Sequence, residues 1–225
     1  MPITFHNTHR HFLAFSLAAA LFGLAAIAGS HPANAMETHT ICASAIGPAE
    51  RDRNIPSDLL TAIAQTESGR WDADREAVFA WPWTVTSGPD GRFFPTKAEA
   101  IDHVRQLQAR GVRNIDVGCM QINLRHHPDA FPDLDTAFDP AENAAYAAQF
   151  LKNLFEAHNS WGEAIRRYHS KNSKFNRPYH EKVARAWNAA RKDSAEAHRQ
   201  AVIAAHLAQR ARWRKERQAQ LAAAR

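Results

Sequence analysis

Apolar residues recur at helical spacing through much of the chain. In the segment LLTAIAQTES, Leu60, Ile63 and Glu67 fall at i, i+3 and i+7, so one helix face carries two core residues and a carboxylate. A proline near the start of a helix and a glycine after its end are a common pair, and we place Pro56 in the first turn and Gly69 at the end. The pattern predicts a short helix that ends in a glutamate.

Three more helices are predicted from the residues that begin them. Thr96 and Glu99 form one capping box, and Ser160 and Glu163 form another, each just before an apolar periodic run. Asp139, followed by a proline, starts a third helix whose apolar side is rich in leucine and phenylalanine.

One stretch predicts β structure instead. Residues 83–86 and 92–94 are rich in β-branched and aromatic side chains and flank the loop SGPDG, which is typical of a short hairpin. A last long helix is predicted to begin at Pro178, with apolar residues every four positions at Tyr179, Val183 and Trp187. The fold class is therefore predicted to be mainly α, with one small β-hairpin and a C-terminal helical tail.

The N-terminal residues 1–35 have the features of a secretory signal peptide. They contain a single formal charge, Arg10, an apolar run over residues 12–28, and the small-residue exit Ala33-Asn34-Ala35. The alternative is a retained membrane anchor, but the run is shorter than the roughly 20 residues that a spanning helix needs. We expect cleavage after Ala35 and a periplasmic protein.

The positive charge of the chain is concentrated at its C-terminal end. Residues 36–190 hold 18 basic and 20 acidic groups, whereas residues 191–225 hold 9 basic and 3 acidic groups. The tail is rich in Ala, Gln and Arg and lacks Pro and Gly, so it is predicted to be helical. One interpretation is that the tail attaches to an anionic surface or to a protein machine of the cell envelope. The other is a solvated helix without a partner, and composition alone slightly favours this second interpretation. Export argues against nucleic acid as a partner.

The chain has two cysteines, Cys42 and Cys119, and both follow the predicted signal peptide. Because exported proteins meet an oxidising compartment, we predict a disulfide between them. The alternative is two buried free thiols. No metal site is expected from two such distant cysteines.

Glu67 is the first candidate for chemistry. A carboxylate at the end of an apolar helix loses water on burial and meets the partial negative charge of the helix C-terminus, and both effects favour the protonated form. A neutral carboxylic acid near pH 7 is what a general acid requires. The alternative is a helix-end residue with its carboxylate in solvent.

Three motifs follow one another along the chain, namely PSDLL with QTES at residues 56–68, GCMQIN at residues 118–123, and RRYHS at residues 166–170. In this order they resemble the soluble lytic transglycosylase domain, a family with a lysozyme-like fold. The resemblance covers roughly residues 42–190, and we expect the domain to span residues 36–190. It implies an enzyme that acts on peptidoglycan. We expect a monomer without a cofactor or metal.

The resemblance also implies roles for individual residues. Glu67 matches the single catalytic acid and base, and Ser68 matches the residue after it, which helps to hold the site. The residues that match the substrate-binding side of the family are Ser68, Met120, Gln121, Asn123, Tyr168 and His169. His169 stands where the family usually has asparagine.

The reaction implied is cleavage of the bond between N-acetylmuramic acid and N-acetylglucosamine with a 1,6-anhydro end. Glycoside hydrolysis needs a second carboxylate, and none is obviously placed for that role. Asp116 is the candidate nearest to residues 118–123, and Asp72, Asp74 and Glu76 are predicted to be turn acids. The alternatives are a hydrolytic muramidase that uses Asp116 to position water, and a weakly active wall-binding assembly module. We also expect Trp81 or Trp83 to form part of a groove wall.

Overall fold

The computed structural model describes residues 38–224. The predicted signal peptide lies outside these residues. The helices are α1 Thr38–Asp52, α2 Leu59–Ser68, α3 Lys97–Ala109, α4 Leu134–Ala137, α5 Pro140–His158, α6 Trp161–His169 and α7 Ser173–Ala223. The strands are β1 Gly69–Asp72, β2 Ala77–Ala80, β3 Thr84–Ser87, β4 Asp90–Phe93, β5 Asp116–Val117 and β6 Ile122–Asn123. The mainly helical, lysozyme-like class with a C-terminal helix is confirmed.

The strands form three hairpins, so the expectation of a single hairpin was too low. β1 pairs with β2 in a two-stranded sheet, and the second sheet has the antiparallel order β4-β3-β5-β6. The hairpin of β3 and β4 is the one that the sequence predicts. Strands β5 and β6 have two residues each, which is too short for an alternating pattern to be visible.

Two predicted helix starts are wrong by several residues. Helix α2 begins at Leu59, beyond Pro56, because Asp58 before it takes a left-handed conformation with φ of 67°. Helix α7 begins at Ser173, where Asn172 accepts a hydrogen bond from the Lys174 amide (Oδ1 to N, 2.9 Å), and Pro178 lies inside it.

The predicted caps are confirmed. Thr96 accepts from the Glu99 amide and Ser160 from the Glu163 amide, in each case with 3.3 Å from Oγ to N. Asp139 caps α5 by accepting from two backbone amides of its first turn. These helix starts are set by local chemistry.

The buried residues form two clusters. The larger one joins α1, α2, α5, α6 and the first part of α7, and the smaller one joins β3, α3 and β5. The predicted disulfide is present between Cys42 of α1 and Cys119, with 5.8 Å between their Cα atoms, and both cysteines lie in the larger cluster. The clusters meet between β5 and β6, at residues 118–121, which we name the glutamine loop.

Helix α7 continues well beyond the core. Asn176, Tyr179, Val183 and Ala190 are its buried residues, and residues 191–224 are all exposed. The Ser194 hydroxyl donates to Asp58 (Oγ to Oδ1, 2.8 Å) at the edge of the domain. The predicted boundary after residue 190 therefore falls within a continuous helix. Among residues 38–224, no helix is both long and apolar enough to cross a membrane.

A buried glutamate of α1 caps α2. The Glu50 carboxylate accepts from the amides of Asp58 (2.7 Å, Oε1 to N) and Leu60 (2.8 Å, Oε2 to N). Burial raises the pKa of Glu50, although both hydrogen bonds oppose this shift. The helix that carries Glu67 is thus anchored at its start by a group from another helix.

We expect Glu50→Ala to lower the free energy of unfolding by about 2 kcal/mol, because two backbone donors lose their acceptor. Chemical denaturation followed by circular dichroism measures this loss. Glu142→Ala, at an exposed position in the first turn of α5, is the control and should change stability by less than about 0.5 kcal/mol. Equal effects of the two substitutions would contradict the capping role.

Candidate active site

Glu67 lies in the last turn of α2, where α7 packs against it. The Tyr179 hydroxyl of α7 donates to Glu67 with 2.7 Å between the hydroxyl oxygen and Oε1. Tyr179 is itself buried in the core, so its ring fixes the position of the hydroxyl. One carboxylate oxygen of Glu67 is therefore held by a rigid donor.

The surroundings of Glu67 favour its protonated form. Burial is the main cause that raises its pKa from 4.5 to about 8, and the negative charge of Asp116 raises it further. The hydrogen bond from Tyr179 acts in the opposite direction because it stabilises the carboxylate. At neutral pH Glu67 therefore carries a proton that it can donate.

The glutamine loop, residues 118–121, is tied to the helices around it. The Ser68 hydroxyl donates to the Cys119 carbonyl (Oγ to O, 2.6 Å), directly beside the disulfide. The Tyr168 hydroxyl donates to the Met120 carbonyl with 2.9 Å between the oxygens. The first bond joins the loop to the end of α2 and the second joins it to α6, so the loop is held at a fixed distance from the helix that carries Glu67.

Asn143 of α5 is the buried polar residue that shapes this loop. Its Oδ1 accepts from the Met120 amide (2.8 Å), and its Nδ2 donates to the carbonyls of Val117 (3.1 Å) and Ala137 (3.0 Å). A Cβ at Gly118 would lie 2.5 Å from Asn143 Nδ2, and Gly118 has a φ of 82°. Both the backbone conformation and the close approach of Asn143 therefore require glycine at position 118.

Two amide side chains expected to bind the glycan are engaged within the protein. Asn123 donates from Nδ2 to Asn114 and Asp116, and its Oδ1 accepts from the amides of Arg125 and His126. An asparagine side chain has two donors and two lone pairs, so this set uses its full capacity. Asn123 thus positions Asp116 in this structure.

Gln121 keeps more of its hydrogen-bonding capacity than Asn123. Its Nε2 donates to the carbonyls of Thr84 (3.1 Å) and Gly118 (3.0 Å), and these bonds fix the amide plane beside the loop. Gln121 Oε1 takes no part in them. Of the two amides, Gln121 is the better candidate to accept a hydrogen bond from a sugar N-acetyl group.

Ser68 and Met120 do not offer side-chain surface to a ligand. Ser68 is 1% exposed and Met120 is completely buried. Their expected place on the substrate-binding side therefore disagrees with their burial. Ser68 holds the loop through its hydroxyl, and Met120 fills the core beneath it.

Tyr168 and His169 lie at the end of α6, close to Glu67 but not bonded to it. The charge of Glu67 contributes to raising the pKa of Tyr168, after burial, which shows that the two groups are neighbours. His169 is exposed and stacks on Tyr179 with 4.5 Å between ring centroids. The residue that holds Glu67 is thus Tyr179, and the His169 ring covers one face of the Tyr179 ring.

A cavity of about 380 Å³ lies against the β1–β2 hairpin that follows α2 in the chain, and Glu67 is not among the residues that line it. Its lining includes Arg70, Trp71, Phe79 and Trp81 of the β1–β2 region. The Trp81 amide donates to the Ser68 carbonyl (2.9 Å, N to O), and the Arg70 guanidinium carbon lies 4.4 Å from the Trp81 ring centroid. Of the two tryptophans expected at a groove wall, Trp81 lines this cavity and Trp83 packs against the smaller core cluster, so Trp81 is the better candidate.

Comparison with family models identifies one match, the transglycosylase SLT domain, over residues 44–190. The match covers more than half of the chain. The chain belongs to this family. Comparisons with curated proteins and with solved structures find no match.

Membership in the SLT family supports a general activity of the lytic transglycosylase type, directed at peptidoglycan. The match contains both Glu67 and Tyr179 and ends at the last buried residue of α7, Ala190. The exposed part of α7 follows it.

Asp116 is the carboxylate of this SLT domain that influences Glu67. It lies on β5 opposite Asn123, whose Nδ2 donates to it with 2.7 Å between Nδ2 and Oδ1. Burial raises the pKa of Asp116, and the Asn123 bond opposes this shift. Asp72, by contrast, accepts from the amides of Asp74 and Arg75 in a turn, as expected for a turn acid.

We expect Asp116→Asn to lower the pKa of Glu67, because the substitution removes a negative charge that favours the proton. The alkaline limb of the pH–rate profile should move to lower pH, since less Glu67 is protonated at any given pH. Turnover of peptidoglycan measured across pH tests this shift. Asp102→Asn, at an exposed site on α3, removes the same charge and should leave the profile in place.

The sequence reasoning missed Tyr179 and Asn143 as site residues. Tyr179 was predicted only as a member of an apolar stripe, although a buried tyrosine hydroxyl needs a partner. Asn143 stands alone among alanines in the segment AENAAYAAQ, and an amide on a buried helix face likewise needs partners. In both cases the signal was a single polar group at a core position.

Proposed function

We propose that this protein is a lytic transglycosylase that cleaves the β-1,4 bond between N-acetylmuramic acid and N-acetylglucosamine and leaves 1,6-anhydro ends. The observation that carries the proposal is a carboxyl group, Glu67, whose pKa is about 8 and whose position is fixed by Tyr179. A group with a pKa near the working pH can donate a proton and then accept one.

In the first step Glu67 transfers its proton to the glycosidic oxygen. The bond from that oxygen to C1 of the muramic acid breaks, and the N-acetyl group of the same sugar stabilises the positive C1. The carboxylate formed on Glu67 keeps the hydrogen bond from Tyr179, which stabilises its charge. The negative charge on Glu67 after proton transfer is therefore stabilised within the site.

In the second step the Glu67 carboxylate removes the proton from the C6 hydroxyl of the muramic acid. The C6 oxygen then bonds to C1 and closes the anhydro ring. No water is consumed, and Glu67 is protonated again at the end of the cycle. One carboxyl group thus serves both steps, whereas ordinary glycoside hydrolysis needs two.

The surface beside Glu67 suits a glycan strand. Trp71 and Trp81 line the cavity with ring surface of the kind that packs on sugars, and Arg70, which lies over one face of the Trp81 ring, adds a positive group. Gln121 belongs to the glutamine loop, which Ser68 ties to the end of α2, and its amide plane is fixed. We place the cleaved bond between Trp81 on one side and Gln121 on the other.

A hydrolytic muramidase is the second candidate, and Asp116 is the observation that favours it. A half-buried carboxylate whose charge acts on Glu67 could position a water molecule for attack on C1. In that case Asp116→Asn would abolish turnover instead of shifting its pH dependence.

Mass spectrometry of peptidoglycan fragments distinguishes the candidates. The transglycosylase produces fragments with anhydro ends, each one water lighter than the reducing ends that a muramidase produces. We expect anhydro ends. Reducing ends would establish the muramidase, and intact glycan strands that nevertheless retain the protein would indicate the wall-binding assembly module.

We also propose that the protein works in the periplasm as a monomer after removal of residues 1–35. The apolar run and small-residue exit of that segment support export. The disulfide between Cys42 and Cys119 supports an oxidising compartment. Fractionation of cells that produce the protein, with sequencing of its N-terminus, tests both points.

A further inference from the structure

The C-terminal part of α7, residues 195–223, extends away from the core and is here named the distal helix. At about 1.5 Å per residue it is roughly 40 Å long. All of its residues are exposed. It lies beyond the family match, so the SLT fold does not account for it.

Large apolar side chains are exposed on one side of the distal helix. At about 100° per residue they fall within an arc of about 140°. They are Val202, Ile203, Leu207, Trp213 and Leu221, each more than half exposed. Isolated exposed apolar residues are common, but five on one side of one helix form a surface.

Arginines share this side of the helix. Arg199, Arg210, Arg214 and Arg217 fall inside the same arc, and so does Glu196, which forms an ion pair with Arg199. The Arg217 guanidinium carbon lies 5.3 Å from the ring centroid of Trp213. Arg212 and Lys215 fall on the opposite side, which otherwise consists mainly of alanine. We name the side with the five apolar residues and four arginines the basic-apolar face.

We propose that the basic-apolar face binds the surface of a phospholipid bilayer that contains anionic headgroups. The excess of 9 basic over 3 acidic residues in the tail complements a negative surface. The apolar side chains reach the acyl boundary while arginine and tryptophan remain at headgroup level. Arginines spaced along the segment keep the helix in the plane of the surface, because charges within the bilayer core are costly.

The composition of the face disfavours other occupants. A second copy would bring two strongly basic helices together, and their like charges would repel. A hydrophilic wall polymer would satisfy the arginines but would leave the exposed Ile203, Leu207 and Trp213 in water. A lipid surface provides both the negative charge and the apolar layer that this face needs.

Co-sedimentation with vesicles tests the proposal, with the chain from Met36 to Arg225, the compact unit that contains all described residues. Vesicles of phosphatidylcholine mixed with phosphatidylglycerol should bind the protein, and vesicles of phosphatidylcholine alone should bind it much more weakly. Ile203→Gln with Leu207→Gln keeps the charge and should weaken binding by more than about tenfold.

A matched pair of charge variants tests the face itself. Arg210→Gln with Arg214→Gln should weaken binding by about tenfold. Arg212→Gln with Lys215→Gln removes the same charge from the opposite side of the helix. These residues lie about one helix diameter further from the lipid, which is about one Debye length, so their loss should weaken binding only a few-fold. Circular dichroism should show equal helix content in all variants, since glutamine is a good helix former.

Four results would overturn the proposal. They are equal binding to both kinds of vesicle, equal losses in the two charge variants, unchanged binding after loss of Ile203 and Leu207, and binding to purified wall sacculi but not to vesicles. Dimerisation that disappears with Ile203→Gln and Leu207→Gln would also overturn it in favour of a second copy. Glu67→Gln should bind vesicles like the wild type, so the result does not depend on the proposed chemistry.

Discussion

Glu67→Gln should lower turnover of peptidoglycan by about a thousandfold, because the substitution removes the proton donor while keeping the size and polarity of the side chain. Binding of glycan fragments should persist, since the loop and Trp81 are untouched. The rate of fragment release from purified sacculi, with fragment binding measured separately, tests both expectations. Glu156→Gln, at an exposed site on α5, is the matched control and should retain full activity.

The same substitution should also change how stability depends on pH. Glu67 has a folded-state pKa of about 8 against an ordinary value of 4.5, so between these values the folded chain holds a proton that the unfolded chain has lost. The free energy of unfolding of the wild type should therefore fall as pH rises through this window. Glu67→Gln should lack this fall, and parallel curves for the two proteins would contradict the raised pKa.

Replacing both cysteines by serine should lower the free energy of unfolding by roughly 4 kcal/mol, because the disulfide closes a loop of 77 residues in the unfolded chain. For a domain of this size the melting temperature should fall by roughly 10 °C. Thermal unfolding followed by circular dichroism gives the shift. A change of less than about 2 °C would show that the bond contributes little.

Reduction provides the control for this prediction. A reductant should lower the melting temperature of the wild type to that of the Cys42→Ser, Cys119→Ser variant and leave the variant unchanged. Activity should fall less than in Glu67→Gln, because Ser68 and Asn143 still hold the glutamine loop through the Cys119 carbonyl and the Met120 amide. Complete loss of activity in a folded double variant would show that the disulfide alone positions the loop.

Local features of the fold could be predicted from the sequence because their causes are local. The caps at Thr96, Asp139 and Ser160 each depend on a side chain and amides within three residues of it. The disulfide could be predicted because the sequence predicts a signal peptide and two cysteines leave one pairing. The helical class followed from periodicity over long segments.

Features that depend on distant contacts could not be predicted in this way. Glu50 caps α2 from another helix, and its role depends on how α1 and α2 pack. Tyr179 is 112 positions from Glu67 along the chain, and only the packing of α7 on α2 brings them together. Asn123 was expected to face the glycan, but its partners come from the folded β5–β6 hairpin and the turn after it.

The proposed mechanism requires Glu67 to carry its proton at neutral pH, and a direct titration of its carboxyl group tests whether it does. The protein is labelled with ¹³C at glutamate side chains, and the signal absent from Glu67→Gln is assigned to Glu67. Its chemical shift should titrate with a midpoint near pH 8. A midpoint near the ordinary value of 4.5 would mean that Glu67 is ionised at neutral pH and cannot be the proton donor.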